Sequence, residues 1–366
     1  MSECAQPFDI LFTQILEQGA SEFLANIKTD VTLHDGFFVK AVGKLSAVFN
    51  NCELQDSLWS CPLCDPCLKP AGYKHLKGEI KEHDQVSVAE YSTGALIVFR
   101  GTHNIYNMGS DINLSPIDPW AAWSCATGRV HAGFLAVWKS LRATLKTELQ
   151  RLQKRSSKAA PLRVLLTGHS LGAAVATIAA LDFSTSLDMM DICVVVGNLN
   201  FESPLVFTKG ILSCYRVPTV RVTNTRDPVP HMPKHLAGYA HVGAEIFMRR
   251  GQATWCSQAD VEDCEAGKKR CACSSGEKWY SFRPLSHCRT KHYLGFDFCE
   301  CGGSHTAFLR ALVWIVFLFI LGLVTYVLYR VVRSMTKAGR GDNPLLPDGE
   351  DVPALPGPLE AQLSTS

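Results

Sequence analysis

What this 366-residue chain has least of is net charge: 36 Lys and Arg stand against 34 Asp and Glu, leaving a formal +2. No Lys/Arg run with interleaved aromatics appears either, so the sequence offers no dense positive surface for nucleic acid. Internal repeats are absent, which argues against a solenoid or an array. The start, MSECAQPFDILFTQILEQGA, lacks a basic n-region, and Gln and Glu interrupt its apolar residues. It does not read as an ordinary signal peptide. The cysteines lack the paired CxxC…CxxC frame that closes round zinc.

What is present is a hydrophobic fraction of 47%, enough for one large core or two small ones. A single long uncharged run, Ala311 to Tyr329, lies between Arg310 and Arg330. As a helix it would be about 28 Å long, the thickness of a bilayer core, and a transmembrane helix is the expectation there. Arg330, Arg333, Lys337 and Arg340 outweigh Arg310. The positive-inside rule then puts the tail in the cytosol and the large N-terminal part in a lumenal or extracellular space. The missing signal peptide points the other way, to a tail-anchored protein with a cytosolic domain, or to an incomplete N-terminus.

Fifteen cysteines bear on the same question. Cys61, Cys64 and Cys67 form one cluster; Cys256, Cys264, Cys271, Cys273, Cys288, Cys299 and Cys301 form another. Such density favours disulfides in an oxidising compartment. CPLCDPC with His75 nearby is the alternative, three thiolates and an imidazole for zinc.

Along the chain, the first thirty residues read as an amphipathic helix with Phe8, Leu11, Ile15 and Leu16 on one side, and a second helix is expected around Val39 to Phe49. Cys52 to Cys67 reads as a loop. Gln85 to Tyr91 and Ala95 to Phe99 read as neighbouring strands. A helix over Gly133 to Gln153 follows, then the apolar strand Leu162 to Leu166, a helix over Ala173 to Leu181, and the strands ICVVV and VRVTN. Strands that are nearly all apolar, alternating with helices, imply a mostly parallel sheet covered on both faces. The expected organisation is a helical, Cys-rich segment over 1–80 packed on an α/β domain over 81–305. That domain carries a Cys-rich insertion at 250–290. A transmembrane helix at 307–332 and a disordered tail at 333–366 complete the chain.

The strand at Leu162 runs straight into Gly168-His169-Ser170-Leu171-Gly172. This is the G-x-S-x-G pattern, in which a tight strand-to-helix turn puts a serine in strained geometry and the following helix aims N–H groups at a reacting carbonyl. Chance alone produces the pattern in about one chain in ten of this length. Its context, an apolar strand before and an Ala-rich helix after, makes Ser170 a nucleophile candidate. Serine needs a base and an orienting acid downstream. Asp227, just after VRVTN and before Pro228, stands where sheet enzymes place function. Asp260 and Asp263 lie in the charged Cys-rich insertion. For the base, His231, His241, His287 and His292 all remain open.

At these residues the chain resembles the class 3 lipases, the fungal-type triacylglycerol lipase family of α/β-hydrolases. The resemblance runs from about Val86 to about Gly295 and rests on six blocks in order. VFRGTHNIYNMGSDIN resembles an RG[ST] strand end followed by N-W-x-x-D-L, with Met108 in place of Trp. VHAGF, GHSLGAA, FESPLV, RVTNTRDPVPHMP and GYAHVGAEIF follow, and FESPLV departs from its G-x-P-x-V block at Glu202 and Ser203. The resemblance implies an α/β-hydrolase fold with Ser170 as nucleophile and Asp227 as the acid. Thr102 and Leu171 would supply the oxyanion hole. His241 falls in a strand block. The family's histidine precedes a Y-x-G element, here Tyr293-Leu294-Gly295, which implies His292 as base and leaves His287 as the alternative. Family members also carry an amphipathic lid, for which Ile105, Tyr106, Met108, Ile112, Trp120 and Trp123 are the candidates, a loop packed on the core being the other reading.

The resulting expectation is a membrane-anchored serine lipase that cleaves acylglycerol esters through an acyl-enzyme and needs no metal or organic cofactor. Its partners would be a lipid ester and the bilayer, and no nucleic acid. Phospholipase A1 or sn-1 diacylglycerol lipase activity is the alternative within the class. A catalytically silent lipase-like scaffold or receptor is the alternative outside it.

Overall fold

In the computed structural model the chain divides into two units, residues 1–303 and 304–366. The structure describes residues 8–298 except 34, 53, 55–58, 79–84, 102–114, 120–122, 124–126, 156–160, 234–237, 268–270 and 277–283, and beyond these Tyr326. The proposed span at 307–332 and the tail at 333–366 therefore lie outside the described residues, save Tyr326. Among the described residues no helix is long and apolar enough to cross a membrane.

Three helices open the chain: α1 (Phe8–Gln18), α2 (Ala20–Leu33) and α3 (Phe37–Asn51). The single amphipathic helix expected over the first thirty residues is two. Gly19 sits at φ +79°, and its N–H donates to Ile15 O at 3.3 Å, a left-handed stop that turns the chain between them. On α1, Phe8, Phe12, Ile15 and Leu16 are buried, the i, i+4, i+7, i+8 stripe of a helix lying on a core.

The strands follow in two groups. β1 (Gly72–Lys77), β2 (Gln85–Tyr91) and β3 (Gly94–Phe99) form an antiparallel meander. After short β4 (Pro116–Ile117) and β5 (Val130–His131) comes the long helix α4 (Ala132–Arg155), then β6 (Leu162–His169), α5 (Leu171–Thr185), the short α6 (Leu187–Met190) and β7 (Cys193–Phe201). Short β8 (Phe207–Thr208), β9 (Thr219–Asn224), short β10 (Tyr239–Ala240), β11 (Ala244–Arg249) and β12 (Gln252–Cys256) complete the set. The principal sheet has eight strands in the order β1-β2-β3-β6-β7-β9-β11-β12. Its middle, β3 through β11, is parallel, and its two ends are antiparallel. The four short strands pair in a separate small sheet.

Because the parallel strands succeed one another in a single direction, right-handed crossovers put their helices on one face. There α4 and α5 bury Phe134, Trp138, Leu141 and Ala174 against Ile97, Phe99, Val164 and Leu166. Alternate residues of the same strands, Leu96, Val98 and Leu165, point to the opposite face. With the crossovers used up, that face is covered by α1–α3, through Phe12, Phe23, Phe38, Val42 and Leu45. Both faces are thus covered by helices, as the apolar strands require. Residues 1–80 contribute more than a cap, since β1 is a strand of the sheet.

Cys61 and Cys64 are disulfide-bonded, and Cys67 is also in a disulfide. His75 meets Ser87 Oγ through Nδ1 at 2.7 Å. The zinc set imagined for these residues is not what they form. In the second cluster Cys256–Cys273 brackets α7 (Gln258–Glu265), and Cys264–Cys271 ties the end of that helix to the segment after it.

Candidate active site

β6 ends at His169, and α5 begins at Leu171. Ser170 is the only residue between them, at φ 58° and ψ −124°, and only 1% of it is exposed. The strand must reverse into a helix within one residue, which forces backbones together. A Cβ on Gly168 would lie 2.4 Å from the carbonyl carbon of Gly172, and one on Gly172 would lie 2.1 Å from Phe99 O. Both glycines are required by that crowding. α5 is buried from Leu171 through Phe183, an Ala-rich helix pressed into the sheet, and its first N–H belongs to Leu171.

Three adjacent strands each deliver one side chain at their C-terminal ends, where open parallel sheets carry function. β6 delivers Ser170, β7 delivers Glu202 and β9 delivers Asp227. Backbone bonds tie the three ends together: Ser170 N–H donates to Phe201 O (3.0 Å), and Glu202 N–H donates to Val222 O (2.8 Å). Asp227 is fully buried in a tight turn, its own N–H donating to Asn224 O at 3.2 Å. Its Oδ1 accepts from Val229 N–H at 2.8 Å, and its Oδ2 meets His287 Nδ1 at 2.7 Å.

The histidine that reaches Asp227 is therefore His287, which replaces His292 as the candidate base. His287 lies in a short 3-10 turn, Pro284–His287, and is fully buried. His292 belongs to α8 (Lys291–Leu294), one turn further along, and its side chain lies outside what the structure describes. The loop holding His287 is fastened to the end of β9, where Asn224 Nδ2 donates to Ser286 O (3.2 Å) and Arg289 O (3.4 Å). His287 also lies against the elbow: its ring is 4.5 Å from that of His169, and His169 Nε2 meets its carbonyl at 3.1 Å. His287 Nε2 is buried and has no hydrogen-bond partner among the described residues. With Nδ1–H given to Asp227, this nitrogen is left with a lone pair to accept a proton.

The remaining candidates separate cleanly. His241 is buried, with Nε2 against Pro230 O at 2.7 Å, a packed histidine. His231 lies in the 3-10 turn after Asp227. Asp260 closes a capping box with Ser257 at the start of α7, which accounts for its lowered pKa. Asp263 lies further along the same helix. Leu171 is the first residue of α5. Thr102 lies outside the described residues, as do Ile105, Tyr106, Met108, Ile112 and Trp120. Trp123, also considered for a lid, is 4% exposed, and its Nε1–H donates to the buried Asp182 Oδ1 at 2.8 Å. That indole is part of the core.

Two residues at the site were not foreseen. Glu202 is fully buried at φ +51°; its carboxyl accepts from Tyr293 Oη (2.8 Å) and Asn224 N–H (3.1 Å). Burial first, then the charge of Asp227, pushes its carboxyl well above the usual carboxylate range. Burial and the neighbouring His287 hold His169 well below the ordinary histidine value. The signal for Glu202 was in FESPLV, where an acid stands at the glycine position of a buried block.

A model of the class 3 lipases, described as Lipase (class 3), matches residues 96–236. A secreted mono- and diacylglycerol lipase 2 of Gibberella zeae is 27% identical over 258 residues, 62% of this chain and 60% of that protein. Lipase A of Sodiomyces alcalophilus is 32% identical over 42% of this chain and 43% of its own length. The chain thus spans about 60% or less of these two relatives. Among solved structures, the triacylglyceride lipase of Rhizomucor miehei superposes with a TM-score of 0.60 at 23% identity, covering 74% of this chain and 98% of that one. This is a likeness of fold. The expected single-pass membrane location does not stand. The Gibberella relative and another from Penicillium cyclopium are named as secreted, and no helix among the described residues is long and apolar enough to cross a membrane. What the ordered blocks implied agrees with these matches: residues 96–236 match the class 3 lipase family, and the eight-stranded sheet gives the chain an α/β-hydrolase fold.

Proposed function

We propose that this chain is a serine lipase that hydrolyses the carboxylic ester bonds of acylglycerols. The observation that carries the reading is the buried His287–Asp227 pair at 2.7 Å, set beside the strained Ser170 turn with His287 Nε2 open. Asp227 fixes the imidazole tautomer and steadies the imidazolium that forms when Nε2 takes the Ser170 proton. Ser170 Oγ attacks the ester carbonyl, and negative charge develops on the carbonyl oxygen. Leu171 N–H, at the positive end of α5, donates to that oxygen, and Thr102 is the proposed second donor. The imidazolium returns its proton to the leaving alcohol, and water then hydrolyses the acyl-enzyme by the same route. Acylglycerol as substrate class is supported by relatives named as mono- and diacylglycerol lipases.

The test is fatty-acid release from emulsified mono-, di- and triacylglycerols by the full chain and by Ser170→Ala. Loss of the nucleophile is expected to lower turnover on the order of 10⁴-fold or more, with the fold intact. Hydrolysis that survives Ser170→Ala would remove the proposal.

A further inference from the structure

The mechanism requires Asp227 to be an anion turned toward His287, and it makes no use of Glu202. Yet Glu202 is as deeply placed as Asp227, at the end of the strand between those of Ser170 and Asp227. Its backbone is left-handed, a conformation that disfavours any side chain, so backbone comfort does not account for glutamate here. Asn224 joins Glu202 to Asp227: the Asn224 N–H donates to Glu202 Oε2 (3.1 Å), and the Asn224 carbonyl accepts from Asp227 N–H (3.2 Å). Two carboxyls buried side by side disfavour double ionisation, and a bond between them needs one to hold a proton.

The surroundings decide which residue holds it. Asp227 accepts from Val229 N–H and meets the His287 imidazole, the group that becomes a cation when it takes the Ser170 proton. Glu202 accepts from Asn224 N–H and from the phenol of Tyr293, and among the described residues no Lys or Arg pairs with it. The titratable groups facing it are Asp227 from the turn after β9 and Tyr293 from α8. His287 lies behind Asp227, and Asp297 acts on Tyr293. We propose that Glu202 is a protonated positioning residue, which donates its carboxylic proton to Asp227 and so keeps Asp227 ionised and aimed at His287. Burial and the Asp227 charge both favour that neutral form. The support is present at neutral pH and is lost as pH rises through the raised pKa of Glu202, because an ionised Glu202 repels Asp227.

This role rests on Asp227 serving as the acid of the proposed lipase, so the test has one arm independent of activity. Infrared difference spectra of the full chain and Glu202→Gln at neutral pH read the carbonyl stretch of a protonated carboxylic acid directly. The band is expected in wild type and absent from Glu202→Gln. Its absence from wild type, or its survival in the variant, overturns the proposal. In the second arm, Glu202→Gln keeps a neutral donor to Asp227 and an acceptor for Tyr293, and its kcat should stay within about threefold of wild type. Glu202→Ala should lose roughly tenfold or more in kcat with KM little changed, since a charge-assisted bond is removed. A Gln variant that falls as far as a folded Ala variant overturns the positioning role. If Ala does not fold, the spectra and the Gln kinetics still decide. A wild-type band without any Ser170-dependent hydrolysis overturns the positioning role together with the lipase reading, while leaving the proton on Glu202.

Discussion

His131 is fully buried in β5, its ring stacked at 3.8 Å on Phe134, and burial lowers its pKa to about 4. The unfolded chain binds that proton near the ordinary histidine value, so between the two the unfolded state holds more protons than the folded one. His131 therefore imposes no penalty above about pH 6.5, and stability falls as pH drops from there toward 4, by up to about 3 kcal/mol. His169 is depressed in the same direction and adds to the slope. Unfolding midpoints measured across this range should fall with pH, and His131→Gln should flatten the fall; a wild-type midpoint independent of pH would contradict it. At this scale the sequence was legible where a residue's local frame carries its role. Ser170 is marked by its glycines, and Asp227 by the strand end before it. His287 and His292 share one short segment, and only the tertiary approach to Asp227 tells them apart. Glu202 was missed because two carboxyls brought together from the ends of separate strands leave no pattern along the chain.

Among the elements, α4 and α5 are joined by a buried polar knot around Asp182. This fully buried carboxylate accepts from Arg142 Nε (2.6 Å), Trp123 Nε1 (2.8 Å) and Ser186 Oγ (2.5 Å). Arg142 continues to Asp188 at 2.7 Å, holding that acid at about 2. Asp182→Ala would strand three donors and is expected to destabilise the fold by about 3–5 kcal/mol, read from urea unfolding. A loss under 1 kcal/mol would mean that the knot contributes little. The knot also explains Trp123, whose indole reads as lid material from its neighbours and is drawn inward by Asp182. The elements themselves were largely legible: β2, β3, β9, α3 and α4 lie within a few residues of their expected bounds. The split between α1 and α2 turned on Gly19, whose left-handed φ is the whole difference between one helix and two.

For the molecule as a whole, the site is a convergence of segments far apart in sequence. Ser170 and Asp227 ride on the parallel centre of one sheet, while His287 arrives on a segment beyond its last strand, β12. Alternating apolar strands made the α/β layering legible. They could not reveal that α1–α3 cover a whole face, because that follows from every crossover falling on the other side. The cysteines followed the oxidised reading: six lie in the three described pairs, and Cys67, Cys214 and Cys288 are disulfide-bonded as well. The central claim is that this convergence makes Ser170 a nucleophile with His287 as its base. Its most direct test is reaction of the full chain with a fluorophosphonate, followed by mass mapping of the modified peptide. Wild type and His292→Ala should be modified at Ser170 at similar rates, and His287→Ala at least 10³-fold more slowly, on the order seen when a triad base is removed. Modification elsewhere in the chain, or at Ser170 with His287→Ala as fast as wild type, would contradict the account.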